Sequence, residues 1–414
     1  MNLKVKNSCE KKKIKKGIRG ITLIALVVTI IVLLVLAGVG IAMLSRQNGI
    51  LNRASEAKEQ TAVAQEDEDE KLQGYENIIR QYADNLPTGE GTTPYLPDAT
   101  KFEKVAGTDL DSGLVIEEKA TGSQYVWVEV PRTSEVYPTA GVDITNFTDD
   151  AYTKIENDLH TYTNDYRNGT DYSDVYCADS ATGWFTDADE YDELKQKMLK
   201  SVYQNGGFWV GRYEAGIEDE ANIRKAKTDS ITLTPVTKQN MYPYNYVTRT
   251  QAKVLSGKVE SGNCTSSLMF GVQWDLVLKY IETKNATTQS NLNNNSTTIG
   301  NYINNLWNIT NTNAKYSKDS GINFTVCPNP YAKTLSSNIL LTTGADESFS
   351  LMNIYDIAGN VWEWTLEKTT DDVSPCARRG GYSSNTGSEG PASSRNNYGT
   401  SYTYYSIGFR FSIY

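Results

Sequence analysis

The sequence predicts an α+β chain, with one long N-terminal transmembrane helix followed by an irregular domain of short strands, few helices and long polar loops. Three observations predict it. Ile21 to Leu44 runs for 24 residues without a charge. Past residue 100, β-forming residues alternate in short runs bounded by Gly, Pro and Asn, and helical spacing recurs in only two stretches. With 39% apolar and 22% charged residues over 414 positions, the chain can bury a core and is long enough for two units.

Charge is unevenly spread. The first twenty residues carry seven Lys, Arg19 and one Glu, so the remainder is more acidic than the overall net charge of −10. An acidic exterior without a basic groove argues against nucleic acid as a partner. Cys9 lies in the basic leader, and Cys177, Cys264, Cys327 and Cys376 are widely spaced with no C-x-x-C pair for zinc or redox chemistry. One or two disulfides and buried free thiols both remain open. His160 is the lone histidine, which excludes a multi-histidine metal site; its polar surroundings predict a plain surface role.

As a helix, the 21–44 run reaches about 36 Å against a hydrocarbon core of about 30 Å. The basic residues before it place the N-terminus in the cytoplasm and the C-terminus outside, a type II orientation. A secretory signal has a shorter apolar region followed by a small-residue cleavage site; here the small residue, Gly20, precedes the run. Basic peptide, Gly20, then Ile21-Thr22-Leu23-Ile24-Ala25-Leu26 resembles a type IV prepilin leader. The resemblance implies cleavage between Gly20 and Ile21, methylation of the new N-terminus, packing against other pilin subunits, and a place in the cell membrane and an extracellular pilus-like filament. Pilins usually carry Glu at the fifth mature position, where this chain has Ala25. That departure fits a minor or tip subunit; a simple membrane anchor is the alternative.

The implied organisation is a leader over 1–20, a membrane or filament helix over 21–83, a linker over 84–100 and a large domain over 101–414. Gly49 to Ala83 continues the helix with a patchy apolar stripe and a solvated acidic block at Glu66–Glu70. Pro87, Gly89, Gly91, Pro94 and Pro97 break all periodicity, hence the linker. In the large domain, Tyr125–Val130 and Phe208–Glu214 read as strands. Thr186 caps a helix from Asp187 to about Tyr203 that ends at Gly206-Gly207, and Phe270 to Glu282 is a second helix. Asn285 to Asn313, dominated by Asn and Thr, reads as a long surface loop.

Ile354-Tyr355-Asp356-Ile357-Ala358-Gly359-Asn360-Val361-Trp362-Glu363-Trp364 is the sharpest motif. With Phe208–Gly216, the Phe270–Ile281 helix, Arg379-Gly380-Gly381 and Gly408-Phe409-Arg410, it resembles the formylglycine-generating (sulfatase-modifying) enzyme family over roughly 120–414. The resemblance implies a C-type-lectin-like fold. The family's copper-binding cysteine pair falls just after the Arg-Gly-Gly segment, where this chain reads Tyr382-Ser383-Ser384-Asn385-Thr386-Gly387 and has no later cysteine. Ser and Asn cannot replace thiolates on Cu(I). Related iron enzymes need histidines that are absent, so the expectation is no enzyme and no required cofactor. The resemblance also implies a calcium ion held by the side chains of Asp356 and Glu363 and the carbonyls of Gly359 and Val361. The alternative is that Asp356 hydrogen-bonds its turn.

From Tyr382 to Ser406, 18 of 25 residues are Asn, Tyr, Ser or Thr. Binding loops favour these residues, which pair rigid amphipathic rings with small hydrogen-bonders. The segment 379–411 resembles the variable region of proteins diversified by retroelements on this fold. Its predicted ligand-binding residues are Tyr382, Ser383, Asn385, Ser394, Asn396, Asn397, Tyr398, Ser401, Tyr402, Tyr404 and Tyr405. An extracellular protein or a glycan is the expected ligand; a structural pilus subunit without adhesive role and an oxidase are the rival readings.

Overall fold

A computed structural model of the protein describes residues 29–34, 58, 61, 86–167 and 171–414. The chain divides into two units, Met1–Tyr75 and Glu76–Tyr414. Of the long apolar run only 29–34 is described, as exposed helix. Six helical residues span about 9 Å, and no helix among the described residues is long and apolar enough to cross a membrane. The expected long N-terminal transmembrane helix is corrected accordingly: the described fold is a β-rich unit with short helices. Gly20, Ile21 and nearly all of 49–83 lie outside the described residues.

Two sheets organise the second unit. The first contains β1 (Phe102–Lys104), β2 (Val115–Glu118), β3 (Gln124–Glu129), β4 (Gly207–Gly211), β5 (Ser266–Leu268) and the C-terminal strand β10 (Phe411–Ile413). Their spatial order is β1-β2-β3-β4-β10-β5, antiparallel throughout. Tyr125, Val126, Trp127 and Val128 are all buried, because both faces of β3 are covered and alternation gives way to a continuous apolar run. Trp127 and Trp209 are register partners, their rings edge-to-face at 5.0 Å.

The second sheet contains β6 (Trp362–Lys368), β7 (Cys376–Arg379), β8 (Arg395–Tyr398) and β9 (Ile407–Phe409), in the order β8-β7-β6-β9. β6 and β9 are parallel and the other pairs antiparallel. The chain leaves the second sheet at Phe409 and enters the first at Phe411, so Arg410 alone joins them. Its buried guanidinium donates to both Glu363 oxygens (3.1 and 2.8 Å), to the Gly211 carbonyl (2.8 Å) and to the Tyr355 carbonyl (2.8 Å). One side chain thus ties β4, β6 and the Tyr355 turn together.

Helices α1 (Asp149–Tyr162), α2 (Ala188–Asn205), α3 (Arg249–Ser256), α4 (Gly271–Thr283) and α5 (Gln289–Asn293) pack around the sheets. The cap of α2 is Asp187, which accepts from the Glu190 amide. Thr186, the predicted cap, instead bonds the Glu190 carboxylate. Gly206 ends the helix at φ 67°, a left-handed position that glycine adopts without strain. The α4 helix matches its expected span, and Asp174 accepts its first two amides at 2.7 and 2.9 Å.

Two supposed loops are part of the core. The stretch expected as a linker buries Leu86, Tyr95 and Leu96, and Trp209 Nε1 donates to the Tyr95 carbonyl at 2.9 Å. The expected surface loop at 285–313 contains α5 and buries Leu292, Asn301, Tyr302 and Trp307. Its asparagines satisfy backbone groups inside the protein, so polarity there does not signal exposure. His160 is half-buried on α1 with Nε2 lacking a hydrogen-bond partner, and burial lowers it to about 4, contrary to a plain surface role. Cys177, Cys264, Cys327 and Cys376 are free thiols, the last two buried.

Candidate ligand-binding face

The Asp356–Trp364 turn fixes the position of the C-terminal segment. Asn360, fully buried at φ 53°, donates from Nδ2 to Glu214 Oε2 at 2.7 Å. Its Oδ1 accepts from Asn301 Nδ2 and the Leu341 amide, both at 3.0 Å. Gly359, at φ 78°, lies so close to Asn301 that a Cβ would sit 2.5 Å from the carbonyl oxygen. A side chain there would push the turn off its neighbour. Beyond the turn, β6 runs beside β7 and sets the register of the segment that follows.

Strand alternation then divides the segment. Arg378 pairs with Asn396 and Arg379 with Arg395, so Asn396 and Tyr398 share the face of Arg378 while Arg395 and Asn397 share that of Arg379. On the inner face, Arg379 Nη2 donates to Asp275 Oδ1 (2.7 Å) and Arg395 Nε to Glu367 Oε1 (2.9 Å). Arg395 Nη2 also donates to Asp275 Oδ2, closing a buried square of two guanidiniums and two carboxylates. The middle of the polar segment is therefore anchored to the core.

On the outer face the aromatics are layered. The Arg378 guanidinium carbon lies 4.6 Å from the Trp362 ring centroid and 4.2 Å from that of Tyr398. Tyr402 stacks on Tyr398 with centroids 3.8 Å apart and planes at 15°. Tyr404 and Tyr405 follow at 4.6 Å from each other, and Tyr382 lies 6.4 Å from Trp362. Arg378 donates from Nε and Nη2 to Asn396 Oδ1 at 3.3 and 3.0 Å. Burial lowers Arg378 to about 10, the tyrosines at 398, 402 and 382 opposing the shift. Burial, with a hydrogen bond to Tyr398, pushes Tyr402 up to about 12.

The predicted site residues distribute unevenly. Ser401 and Tyr404 are exposed, and Tyr382, Asn385, Ser394, Asn396, Asn397, Tyr398 and Tyr402 are half-buried. Ser383 and Tyr405 are buried with their hydroxyls engaged inside the fold. Asn338 links the two, donating to the Tyr405 hydroxyl at 2.9 Å and accepting from the Ser383 hydroxyl at 2.8 Å. Asn397 points to the inner side and donates to Asp371 Oδ2 at 3.2 Å. Arg378 and Trp362 were missed as walls of the face. The signal was present, because residue 378 must face away from 379 on a strand.

The two carboxylates expected to hold calcium are already engaged within the fold. Both Glu363 oxygens are taken by Arg410, so a protein cation already occupies that charge. Asp356 Oδ2 accepts the Gly344 amide at 2.6 Å. Burial, helped by the neighbouring Glu363 carboxylate, pushes Asp356 up to about 7 against the pull of the Gly344 amide and Arg410. Among the described residues no group of three or more His, Cys, Asp or Glu side chains could hold a metal ion. A separate concavity between α1 and α2, lined by Asp149, Glu156, Asp189, Asp192 and Lys195, has few aromatic groups.

No family model and no curated protein matches the chain. Among solved structures it is similar to Treponema denticola variable protein 1, at 13% identity over 70% of this chain and 84% of that chain, with a TM-score of 0.21. The similarity is weak. At that level it carries no argument for what the face does, which rests on the geometry above.

Proposed function

We propose that the protein binds a macromolecular ligand, a protein or a glycan, through the outer face of its C-terminal segment. The observation that carries the reading is the layered set Trp362, Arg378, Tyr398 and Tyr402, continued by exposed Tyr404, on a sheet whose reverse side is locked by buried ion pairs. Tyrosines held in place have little rotamer freedom left to lose, so their contact area converts efficiently into affinity. Such rings are frequent hot spots.

A fixed inner side with an outer side of Tyr, Asn and Ser also supports diversification of the outer residues alone. Under that reading, Ser394, Asn396, Tyr398, Ser401, Tyr402 and Tyr404 vary among copies of the gene, while Arg395, Ser383 and Tyr405 do not. Catalysis is no part of the proposal. Its support is chemical: Ser383, Ser384 and Asn385 offer no thiolate or imidazole where the resembling enzymes need one.

The test is to probe arrays of purified cell-surface proteins and of glycans with the full chain and with a Tyr402→Ala/Tyr404→Ala variant. Ligands held by the parent and lost by a variant of unchanged melting temperature support the face. Equal binding by both would overturn it.

A further inference from the structure

Four arginines of the second sheet and its exit are buried, and three of them face carboxylates: Arg379 and Arg395 face Asp275 and Glu367, and Arg410 faces Glu363. Arg378 differs. It is 7% exposed and pairs with no carboxylate among the described residues. The leading titratable neighbours that act on it are the tyrosines at 398, 402 and 382. A guanidinium buried without a counter-ion is costly, and an anion reaching it recovers much of that cost.

A second observation points the same way. Trp362, 3% exposed and stacked on Arg378, has its Nε1 buried without a hydrogen-bond partner. Buried indole N–H groups usually find an acceptor. A buried cation without a carboxylate partner and an unsatisfied donor thus stand side by side, with tyrosines around them. Within an acidic chain, this patch seeks acceptors.

We propose that the face recognises a carboxylate, presented by an acidic side chain of a protein partner, with Arg378 as its anchor and Trp362 Nε1 as a further donor. The inference rests on the binding-face reading and specifies its ligand. At the Arg378 anchor, stacking favours a protein over a sugar acid. The ring of Tyr398 lies between Arg378 and Tyr402, and that of Trp362 lies against Arg378 and Tyr382. Sugars need an open ring face, whereas a carboxylate approaches along edges and hydroxyls. The guanidinium remains charged at neutral pH, since burial lowers it only to about 10.

The experiment measures binding of the full chain to three probes by calorimetry: an acidic peptide of alternating Glu and Tyr, its Gln-for-Glu counterpart, and an oligogalacturonate of equal charge. The acidic peptide is expected to bind about tenfold tighter than the Gln peptide, the difference a charge-assisted hydrogen bond makes. Arg378→Gln should abolish that preference, and Trp362→Phe, which keeps the ring and loses the N–H, should reduce it. The peptide comparison on the unaltered protein stands even if Arg378→Gln fails to fold. Equal affinity for the two peptides, or binding of neither at millimolar concentration, overturns the carboxylate anchor. Tighter binding of the oligogalacturonate than of the acidic peptide overturns the protein partner. If these results fail the anchor while array ligands still depend on Tyr402 and Tyr404, the face survives and only its assigned ligand falls.

Discussion

Arg395 donates from Nε to Glu367 Oε1 at 2.9 Å, and both side chains are almost wholly removed from solvent. That pair lies in the centre of a segment whose composition reads as surface. It explains how a stretch rich in Tyr, Asn and Ser can present a defined shape: every second residue of β8 is held from behind.

Replacing Arg395 with Ala leaves Arg379 as the one guanidinium of the buried square beside Glu367 and Asp275. Breaking one partner out of a buried ionic group costs about 3–5 kcal/mol. Urea unfolding of the full chain should show a loss of that size. A loss below about 0.5 kcal/mol, as expected of an ordinary surface position, would mean that the segment is not anchored there.

Asp356 gives the stability a pH dependence of known sign. Its folded pKa of about 7 lies above the usual carboxylate range. The folded state therefore holds the proton more tightly, and this contribution is complete below about pH 4 and lost as pH rises toward 7. Asp174, also raised to about 7 by burial, acts in the same direction, whereas His160, lowered to about 4, acts oppositely. The comparison with Asp356→Asn isolates the one group: from pH 4 to 7 the parent should lose more thermal stability than the variant. A parallel pair of curves would contradict the assignment.

Arg249 is fully buried beneath the Trp184 ring, 4.2 Å from its centroid. Its Nε, Nη1 and Nη2 all lack hydrogen-bond partners among the described residues. Arg249→Met keeps the packing volume and removes an unsatisfied charge, so the melting temperature should rise or hold. A loss above about 3 kcal/mol would show that the guanidinium is satisfied within the fold.

Tyr405 and Tyr404 are adjacent in sequence and opposite in role. Tyr405→Phe deletes the hydroxyl that accepts from Asn338 and should cost about 1 kcal/mol. Tyr404→Phe should leave stability unchanged, because that ring is exposed. Chemical denaturation of the two variants distinguishes structural from presenting tyrosines; equal losses would contradict the division.

Local patterning was legible in the sequence. Tyr125–Val130 and the Phe270–Glu282 helix carry their own periodicity and form close to their expected spans, while the strand expected over Phe208–Glu214 ends at Gly211. Elements whose polar residues face inward were not legible. Asn301 and Asn360 are buried because they bond one another and the backbone, a fact of tertiary pairing that composition cannot reveal. The same holds for the tail: Ser383, Arg395 and Tyr405 are inside because β7 and Asn338 meet them, while Tyr404, of the same type as Tyr405, is outside. The long apolar run at 21–44 gave the firmest local signal, yet no membrane-length apolar helix occurs among the described residues.

The central claim is that the outer side of the C-terminal segment is the ligand-binding surface. Hydrogen–deuterium exchange of the full chain, with and without a ligand recovered from the arrays, tests it most directly. The account predicts new protection concentrated at residues 394–404 and at Tyr382, with none in the groove between α1 and α2. Protection confined to that groove, or absent from 394–404, would contradict it.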